Sequence, residues 1–345
     1  MPIGRFGLSS CFSKPNLRTV PLKLQHRPIG NQQSAIGNVF VRVCRHTPSM
    51  DSYDVVIVGA GPAGLSAALI LGRCRRRVLI CDTGLPRNAA SHALHGFLTR
   101  DGIAPLEFLK IAREQLQPYK NVELRELEVR EAKRTDAGFV VNTNIFCSKL
   151  LLATGVVDRL PQIDGLNEFY GRSAFHCPYC DGWEVRDRRI VVYGKGKNGV
   201  GLALELTLWS SNLALCTDGP TELSNEETAR LEHHRIKIYD TPIRRLIGSQ
   251  GMLEQIAFTN GELLGCDALF FSTGNEQHCN LAETLGCKFT EDGAVDTGEY
   301  EITNVPGVYV AGDASKLVQL AIVAAAEGAK AAFAINQELL KQDLA

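Results

Sequence analysis

An α/β fold with more than one domain is what this sequence predicts, on three observations. The chain has 345 residues, beyond the size at which one hydrophobic core usually stops growing. A β-branched run, Val55-Val56-Ile57-Val58, leads through a glycine-rich turn into an apolar segment, Leu65 to Leu71. The same order of run, turn and apolar segment returns at Ile190-Val191-Val192-Tyr193. Such continuous runs read as strands buried on both faces, the strands of parallel sheets covered by helices. Two units of this kind predict two Rossmann-like three-layer domains.

Taken in order, residues 1–50 differ from the rest. They hold no Asp or Glu, while Arg5, Lys14, Arg18, Lys23, Arg27, Arg42 and Arg45 are basic and Ser and Thr are frequent. That is the composition of an organellar transit peptide, for plastid or mitochondrion, and it has no apolar core of a secretory signal. The alternative is that translation starts at Met50 and the protein is cytoplasmic. Of the 37 basic and 38 acidic residues this stretch holds seven and none, so residues 51 to 345 carry a net charge of −8.

Asp54 to Gly72 is nearly uncharged and long enough to be taken for a membrane span, but its Gly-Pro cluster argues for strand, turn and helix. Gly59, Gly61 and Gly64 form G-x-G-x-x-G. The first glycine permits a tight turn, the second lets backbone approach a pyrophosphate, and the third lets helix pack on strand. A second strand, Val78-Leu79-Ile80-Cys81, ends in Asp82, placed to grip ribose hydroxyls. Together these predict a bound dinucleotide. Arg87, Asn88, His92, His95 and Phe97 follow in a polar loop and read as solvated loop residues.

The centre of the chain is Phe175 to Glu184, FHCPYCDGWE. Cys177 and Cys180, with only Pro178 and Tyr179 between them, can close and reopen a disulfide across one turn. His176 and Asp181 place titratable groups beside the sulfurs to accept or supply protons. A half zinc site is the competing reading, but zinc wants a second clustered pair and the nine other cysteines are scattered. Inert core thiols are another, which the surrounding Pro, Tyr, Asp and Gly argue against. No metal is predicted. Eleven unevenly spaced cysteines point to a reducing compartment.

The second unit carries Gly194, Gly196 and Gly199 after its strand, then a helix from about Val200 to Trp209. The next strand, Asn212 to Cys216, ends in Thr217-Asp218-Gly219-Pro220. An Asp there repels a 2′-phosphate and accepts from a free ribose 2′-hydroxyl, which favours NADH over NADPH, with Lys195 and Lys197 as partial compensation. Near the C-terminus Val308 to Ala311 reads as a strand ending in Gly312-Asp313, followed by a small-residue helix, Leu320 to Gly328. The composition, 45% hydrophobic and 22% charged with net charge −1, has no basic patch for nucleic acid; it leaves a small molecule or a protein as partner.

GAGPAG, Ala153-Thr154-Gly155, CPYCD, Ser272-Thr273-Gly274 and VYVAGDAS, in this order over residues 53 to about 340, resemble the low-molecular-weight thioredoxin reductases. The resemblance implies a split FAD-binding domain, residues 51–157 and 280–345, around an inserted NAD(P)-binding-like domain, residues 158–279, that carries the redox pair. It implies FAD held by Gly59, Gly61, Gly64, Asp82, Gly312 and Asp313. It also implies Cys180 facing the flavin, Cys177 exchanging with substrate, Asp181 moving the proton, a homodimer, and hinges at Gly155 to Arg159 and Gly274 to His278. The basic His-Arg-Arg cluster by which NADPH-using relatives hold the 2′-phosphate is missing, so NADPH, NADH and ferredoxin stay open as donors. His176 before CPYC is shared with a branch resembling fungal dithiol oxidases, where a histidine acts as base. Three functions follow: a disulfide reductase with thioredoxin or a small disulfide as partner, a dithiol oxidase using oxygen, and a non-catalytic flavin redox sensor.

Overall fold

The computed structural model describes residues 50–345 except Thr221, Glu222 and Leu317, so the transit-peptide expectation lies outside the described residues. Strand β1 (Asp51–Val58) feeds helix α1 (Pro62–Arg73) and β2 (Val78–Asp82), and after α2 (Pro105–Leu116) come β3 (Val122–Glu126), β4 (Ala132–Thr135), β5 (Gly138–Val141) and β6 (Ile145–Leu152). The strand expected from Val55 begins earlier because β6 runs beside its whole length, from Asp51↔Ile145 to Val58↔Leu152. The apparent membrane-length stretch is thus divided between β1, the glycine turn and α1.

Next come β7 (Val156–Asp158), the one-turn helix α3 (Leu166–Phe169), β8 (Ala174–Phe175), α4 (Pro178–Asp181), β9 (Ile190–Tyr193) and α5 (Gly196–Glu205). A 3-10 turn, Leu206–Leu208, ends α5 short of the expected Trp209. Then follow β10 (Leu213–Cys216), α6 (Asn225–His233), β11 (Lys237–Tyr239), β12 (Ile243–Ser249), β13 (Met252–Phe258), β14 (Leu263–Gly265), β15 (Ala268–Phe271), β16 (Asn275–Gln277), α7 (Leu281–Thr284), β17 (Val308–Val310) and α8 (Ala321–Asp343).

The first sheet runs β3-β2-β1-β6-β5-β4, and β17 returns from far along the chain to pair in parallel with β6 at Val308↔Leu150 to Val310↔Leu152. The second sheet, β11-β10-β9-β15-β8, is parallel throughout. A three-stranded antiparallel sheet, β12-β13-β14, packs beside it through Ile243, Leu246, Ile256 and Phe258. The two chain crossings between the sheet systems, β7 and β16, are hydrogen-bonded to each other as an antiparallel ribbon. These are the segments where hinges were expected.

Helix α8 is far longer than the expected Leu320 to Gly328. Its buried face, Ala324, Ala331, Ala332, Ile335 and Leu339, packs in one core with Ala63, Ala67, Ala68 and Leu71 of α1. Gly328 lies inside the helix because a Cβ there would stand 2.0 Å from the Ala63 carbonyl oxygen; the glycine marks a close crossing rather than an end.

Candidate active site

The first glycine turn is built for close approach. Gly59, at φ +105°, could carry no side chain, since its Cβ would stand 2.2 Å from the Ala153 carbonyl oxygen, and a Cβ on Gly64 would stand 1.9 Å from the Gly59 carbonyl oxygen. A Cβ on Gly61 would meet nothing within 4 Å, so this residue leaves backbone open to the space above the N-terminus of α1. Asp82 fixes the turn from the side: Oδ1 accepts from the Ala60 N–H at 2.9 Å, and Oδ2 from the Gly84 N–H at 3.1 Å and Arg113 Nη2 at 3.0 Å. Arg113 Nε is buried with no partner among the described residues.

This turn opens into a cavity of about 560 Å³, whose walls also include Asp82, Arg87, Arg113, His176, Cys180, Asp181, Gly312 and Asp313. Residues predicted from three distant stretches therefore meet in one space. A cavity of this size, with a glycine turn, a helix N-terminus, an unpartnered guanidinium nitrogen and acidic groups for ribose, fits the extended dinucleotide FAD.

Cys177 and Cys180 are joined as a disulfide. Cys177 caps the single turn α4, its carbonyl accepting from the Cys180 and Asp181 N–H groups, with Pro178 at the first helical position where a missing donor costs nothing. Cys180 lines the cavity and Cys177 is not among its lining residues. Burial pushes the half-buried Asp181 carboxyl up to about 7; Glu184 adds to the rise and His95 opposes it. A carboxyl poised near neutrality can both give and take a proton.

His176 sits in an ion-pair network. Arg87 donates from Nε to Asp158 Oδ2 at 3.0 Å and from Nη2 to Asp158 Oδ1, and from Nη1 to Asp313 Oδ2 and Gln319 Oε1, both at 2.8 Å. The Tyr170 hydroxyl donates to Asp158 Oδ2 at 2.9 Å. Arg87 Nη2 lies 3.3 Å from His176 Nε2 and Asp158 Oδ2 lies 3.8 Å from Nδ1. Guanidinium groups only donate, so Nε2 accepts and the proton sits on Nδ1 toward Asp158. Burial holds the imidazole below its ordinary value, Asp158 pulls it back up, and Arg87 presses it down. With its accepting nitrogen engaged by Arg87, His176 is oriented as a member of this network rather than as a free base for a thiol.

Asp313, expected to border the cofactor, is an Arg87 partner within the cavity wall, while the Gly312 N–H donates to Glu327 Oε2 at 2.8 Å. Burial pushes the Glu327 carboxyl up to about 7. Sequence reasoning missed Glu327, Asp158 and Tyr170, and set aside Arg87 and His95, both of which line the cavity. The available signal was the connection between β2 and α2, residues 83–104, long for a strand-to-helix loop and of the kind that carries function.

The second glycine turn repeats the first in form. A Cβ on Gly194 would stand 2.8 Å from Gly199 Cα, and Gly196, at φ +53°, is open. Gly194, Gly196, Gly199 and Asp218 do not line the cavity that holds Cys180. Asp218, expected to accept from a ribose, already accepts from the Tyr193 hydroxyl at 3.0 Å and the Ile243 N–H at 3.2 Å. Its carboxylate ties β9 to the start of β12. Lys195 and Lys197 are exposed beside the turn.

The family model for pyridine nucleotide-disulphide oxidoreductases matches residues 53–328. Thioredoxin reductase tcpT of Claviceps purpurea is 32% identical over 281 residues, 75% of this chain and 86% of that protein. A probable thioredoxin reductase of Arthroderma benhamiae is 29% identical, over 76% of this chain and 74% of its own length. Among solved structures, a putative thioredoxin reductase TrxB of Bacillus anthracis superposes with a TM-score of 0.79 at 32% identity, covering 84% of this chain and 99% of that one. The chain thus belongs to the pyridine nucleotide-disulphide oxidoreductases, among the thioredoxin reductase-like proteins, and is a flavin-dependent disulfide oxidoreductase.

Proposed function

We propose that the protein passes electron pairs from a pyridine nucleotide through FAD and the Cys177–Cys180 pair to a disulfide partner of thioredoxin type. The observation that carries this reading is that Cys180 and Asp181 share one cavity with the Gly59–Gly61 turn. FAD bound there supplies two-electron storage beside the pair. Gly59, Gly61 and Gly64 with the α1 N-terminus would hold its pyrophosphate, Asp82 and Arg113 its adenosine end, and Gly312 and Asp313 its far half. In this division the first sheet with α8 forms the flavin-binding part and the second sheet the inserted nucleotide-binding part.

Cys180, on the cavity side, is the flavin-facing sulfur, and Cys177 is the sulfur that exchanges with the partner. In that exchange a Cys177–substrate bond forms as the substrate S–S bond breaks, and the departing sulfur takes a proton from Asp181. Cys180 then displaces the second substrate sulfur and the enzyme disulfide re-forms, two electrons having passed to the substrate. The ribbon of β7 and β16 is the hinge on which the pair would leave the cavity to meet a protein partner. Assembly as a homodimer and organellar delivery by residues 1–50 complete the proposal, read by sedimentation and by imaging of the tagged full chain.

The deciding experiment is anaerobic titration of the purified flavoprotein with NADPH and with NADH while flavin absorbance is followed. Bleaching by either supports reduction through the second glycine turn. Bleaching by neither, with bleaching by a dithiol, overturns nucleotide-driven reduction. A second reading, dithiol oxidation by oxygen, draws support from Asp218, whose carboxylate is engaged by Tyr193 and Ile243. Hydrogen peroxide released on aerobic mixing with a dithiol separates the two, and no response to any donor supports a redox sensor.

A further inference from the structure

The hinge ribbon is tied down at one end. Asp158 and Asn275 face each other as its last rung before the inserted part. Arg87 holds Asp158 through two of its nitrogens, and Gln319 Oε1 accepts from Arg87 Nη1 at 2.8 Å and from Asn275 Nδ2 at 3.2 Å. Arg87, Asp158, Asn275 and Gln319 thus close a ring of side chains. Arg87 and Gln319 belong to the part built on the first sheet, where Asp313 also holds the guanidinium, so the ring fixes the rung to that part. Past the rung, the Arg159 N–H donates to the Gly274 carbonyl at 3.0 Å and the Thr273 hydroxyl donates to the Arg159 carbonyl. Gly274, at φ +76°, has nothing within 4 Å of where a Cβ would stand. The inserted part has room to turn here, beyond the anchored rung.

One short stretch of the inserted part sits on this anchor. The Tyr170 hydroxyl donates to Asp158 Oδ2 at 2.9 Å, so its bond ends on a carboxylate that stays with the first sheet. The next residue, Gly171, at φ +75°, lies so close to the connection between β2 and α2 that a Cβ would stand 2.6 Å from the Ala90 carbonyl oxygen and 2.9 Å from the Ser91 nitrogen. A bare Cα is what this approach requires. The same stretch is joined to the redox segment. The Gly171 N–H donates to the Ala174 carbonyl at 2.9 Å, and the Tyr170 ring lies 6.3 Å from His176, the residue before Cys177, and 6.0 Å from Phe271. Tyr170, Gly171 and the start of the cysteine segment therefore move as one unit.

We propose that Tyr170 and Gly171 are the catch that keeps Cys180 at the cavity, and that its release lets the cysteine segment swing about Arg159 and Gly274 toward a partner. The inference rests on the proposed thiol–disulfide function and names what holds that site closed. The catch is built to let go. When the Tyr170 hydroxyl leaves, Arg87 still pairs with Asp158, so opening strands no buried charge and exchanges one hydrogen bond for bonds to water. Tyr170 acts on the sulfurs by holding the segment that carries them and is a positioning residue.

The test is anaerobic alkylation by iodoacetamide of the FAD holoenzyme carrying Cys177→Ser, which leaves Cys180 as a thiol, with each cysteine read by peptide mass spectrometry. In this background Tyr170→Phe keeps the ring and removes the bond to Asp158. It is expected to raise the Cys180 rate about tenfold, the population shift that loss of one hydrogen bond to a carboxylate brings. Cys216 and Cys266, buried in the inserted part, are expected to keep their rates. An unchanged Cys180 rate overturns the catch, as does a rise shared by all three cysteines, which reports a loosened inserted part. Should Tyr170→Phe lose its flavin, Gly171→Ala decides in the same terms, since its methyl would press on Ala90. Bleaching of wild type by dithiothreitol is followed alongside. Bleaching with an unchanged Cys180 rate fails the catch alone, whereas no bleaching fails the thiol–disulfide reading itself, and the catch with it.

Discussion

Removal of Arg87 tests the network that joins the glycine-turn side of the cavity to the cysteine segment. The side chain is 17% exposed and Asp158 only 6%, so Arg87→Ala leaves a buried carboxylate without its bidentate partner and Asp313 without its cation. Breaking a buried pair from one side costs about 3–5 kcal/mol. The lower end applies, because Asp158 keeps the Tyr170 hydroxyl and Asp313 is partly exposed. For a chain of this size about 3 kcal/mol is a fall in Tm of about 5 °C. The sign with pH follows from Asp158. Burial pushes its carboxyl up, Arg87, His176 and Tyr170 together more than offset this, and it lies below the usual carboxylate value. A lowered acid contributes stability above its unfolded value, and that contribution disappears as pH falls through the folded value. The deficit of Arg87→Ala is therefore full at pH 7 and shrinks below about pH 4. Calorimetry of the flavoprotein at several pH values measures it, and Arg87→Ala with Asp158→Asn should recover part of the loss. A Tm within a degree of wild type at pH 7, or a deficit that does not shrink as pH falls below about 4, would refute the reasoning.

Three further outcomes are expected. Cys180→Ser should abolish any thiolate-to-flavin charge-transfer absorbance in the reduced enzyme while Cys177→Ser keeps it; identical spectra would undo the assignment of the two sulfurs. Gly61→Val should fold with near wild-type stability but lose flavin on gel filtration, because its side chain would project into open cavity, whereas Gly64→Ala should cost about 2–3 kcal/mol by forcing backbone from backbone. Asp181→Asn should raise stability above pH 7 and change it little below about pH 4, since a carboxyl whose folded value is raised contributes stability that is lost as pH rises through that value. The gain, discounted for partial exposure, is about 1 kcal/mol, and thermal melts at pH 5 and pH 8.5 that show no difference from wild type would remove the account of Asp181.

The parts of the site legible in the sequence were those whose chemistry is set by short spacing. Gly59, Gly61 and Gly64 must lie together to make their turn, and Cys177 and Cys180 can meet across one. Arg87 was not legible because its partners, Asp158, His176 and Asp313, arrive from three other stretches, the last 226 residues away. A loop arginine looks the same in sequence whether it ends in water or between two carboxylates. Helix α8 was read as ending at Gly328 for a similar reason. Glycine is a common helix terminator, and only the approach of Ala63 shows that here it is a notch. Asp218 illustrates the converse: an acid at the right spacing for a ribose is engaged by a tyrosine hydroxyl and a backbone amide that no local pattern announces.

The return of β17 to the first sheet has a consequence for how the molecule is made. Strand β6 and the glycine turn leave the ribosome early, but the strand and helix that complete their sheet and cover α1 are synthesised only after the whole segment with the cysteine pair. At roughly 5–20 residues per second the nascent chain spends on the order of ten seconds with the first half of the flavin site waiting for the second. Through that interval the cysteine pair can fold into its own sheet, yet Gly312, Glu327 and α8 are still absent from the cavity wall. A chain cut short in this window would carry the thiols without the electron store they serve.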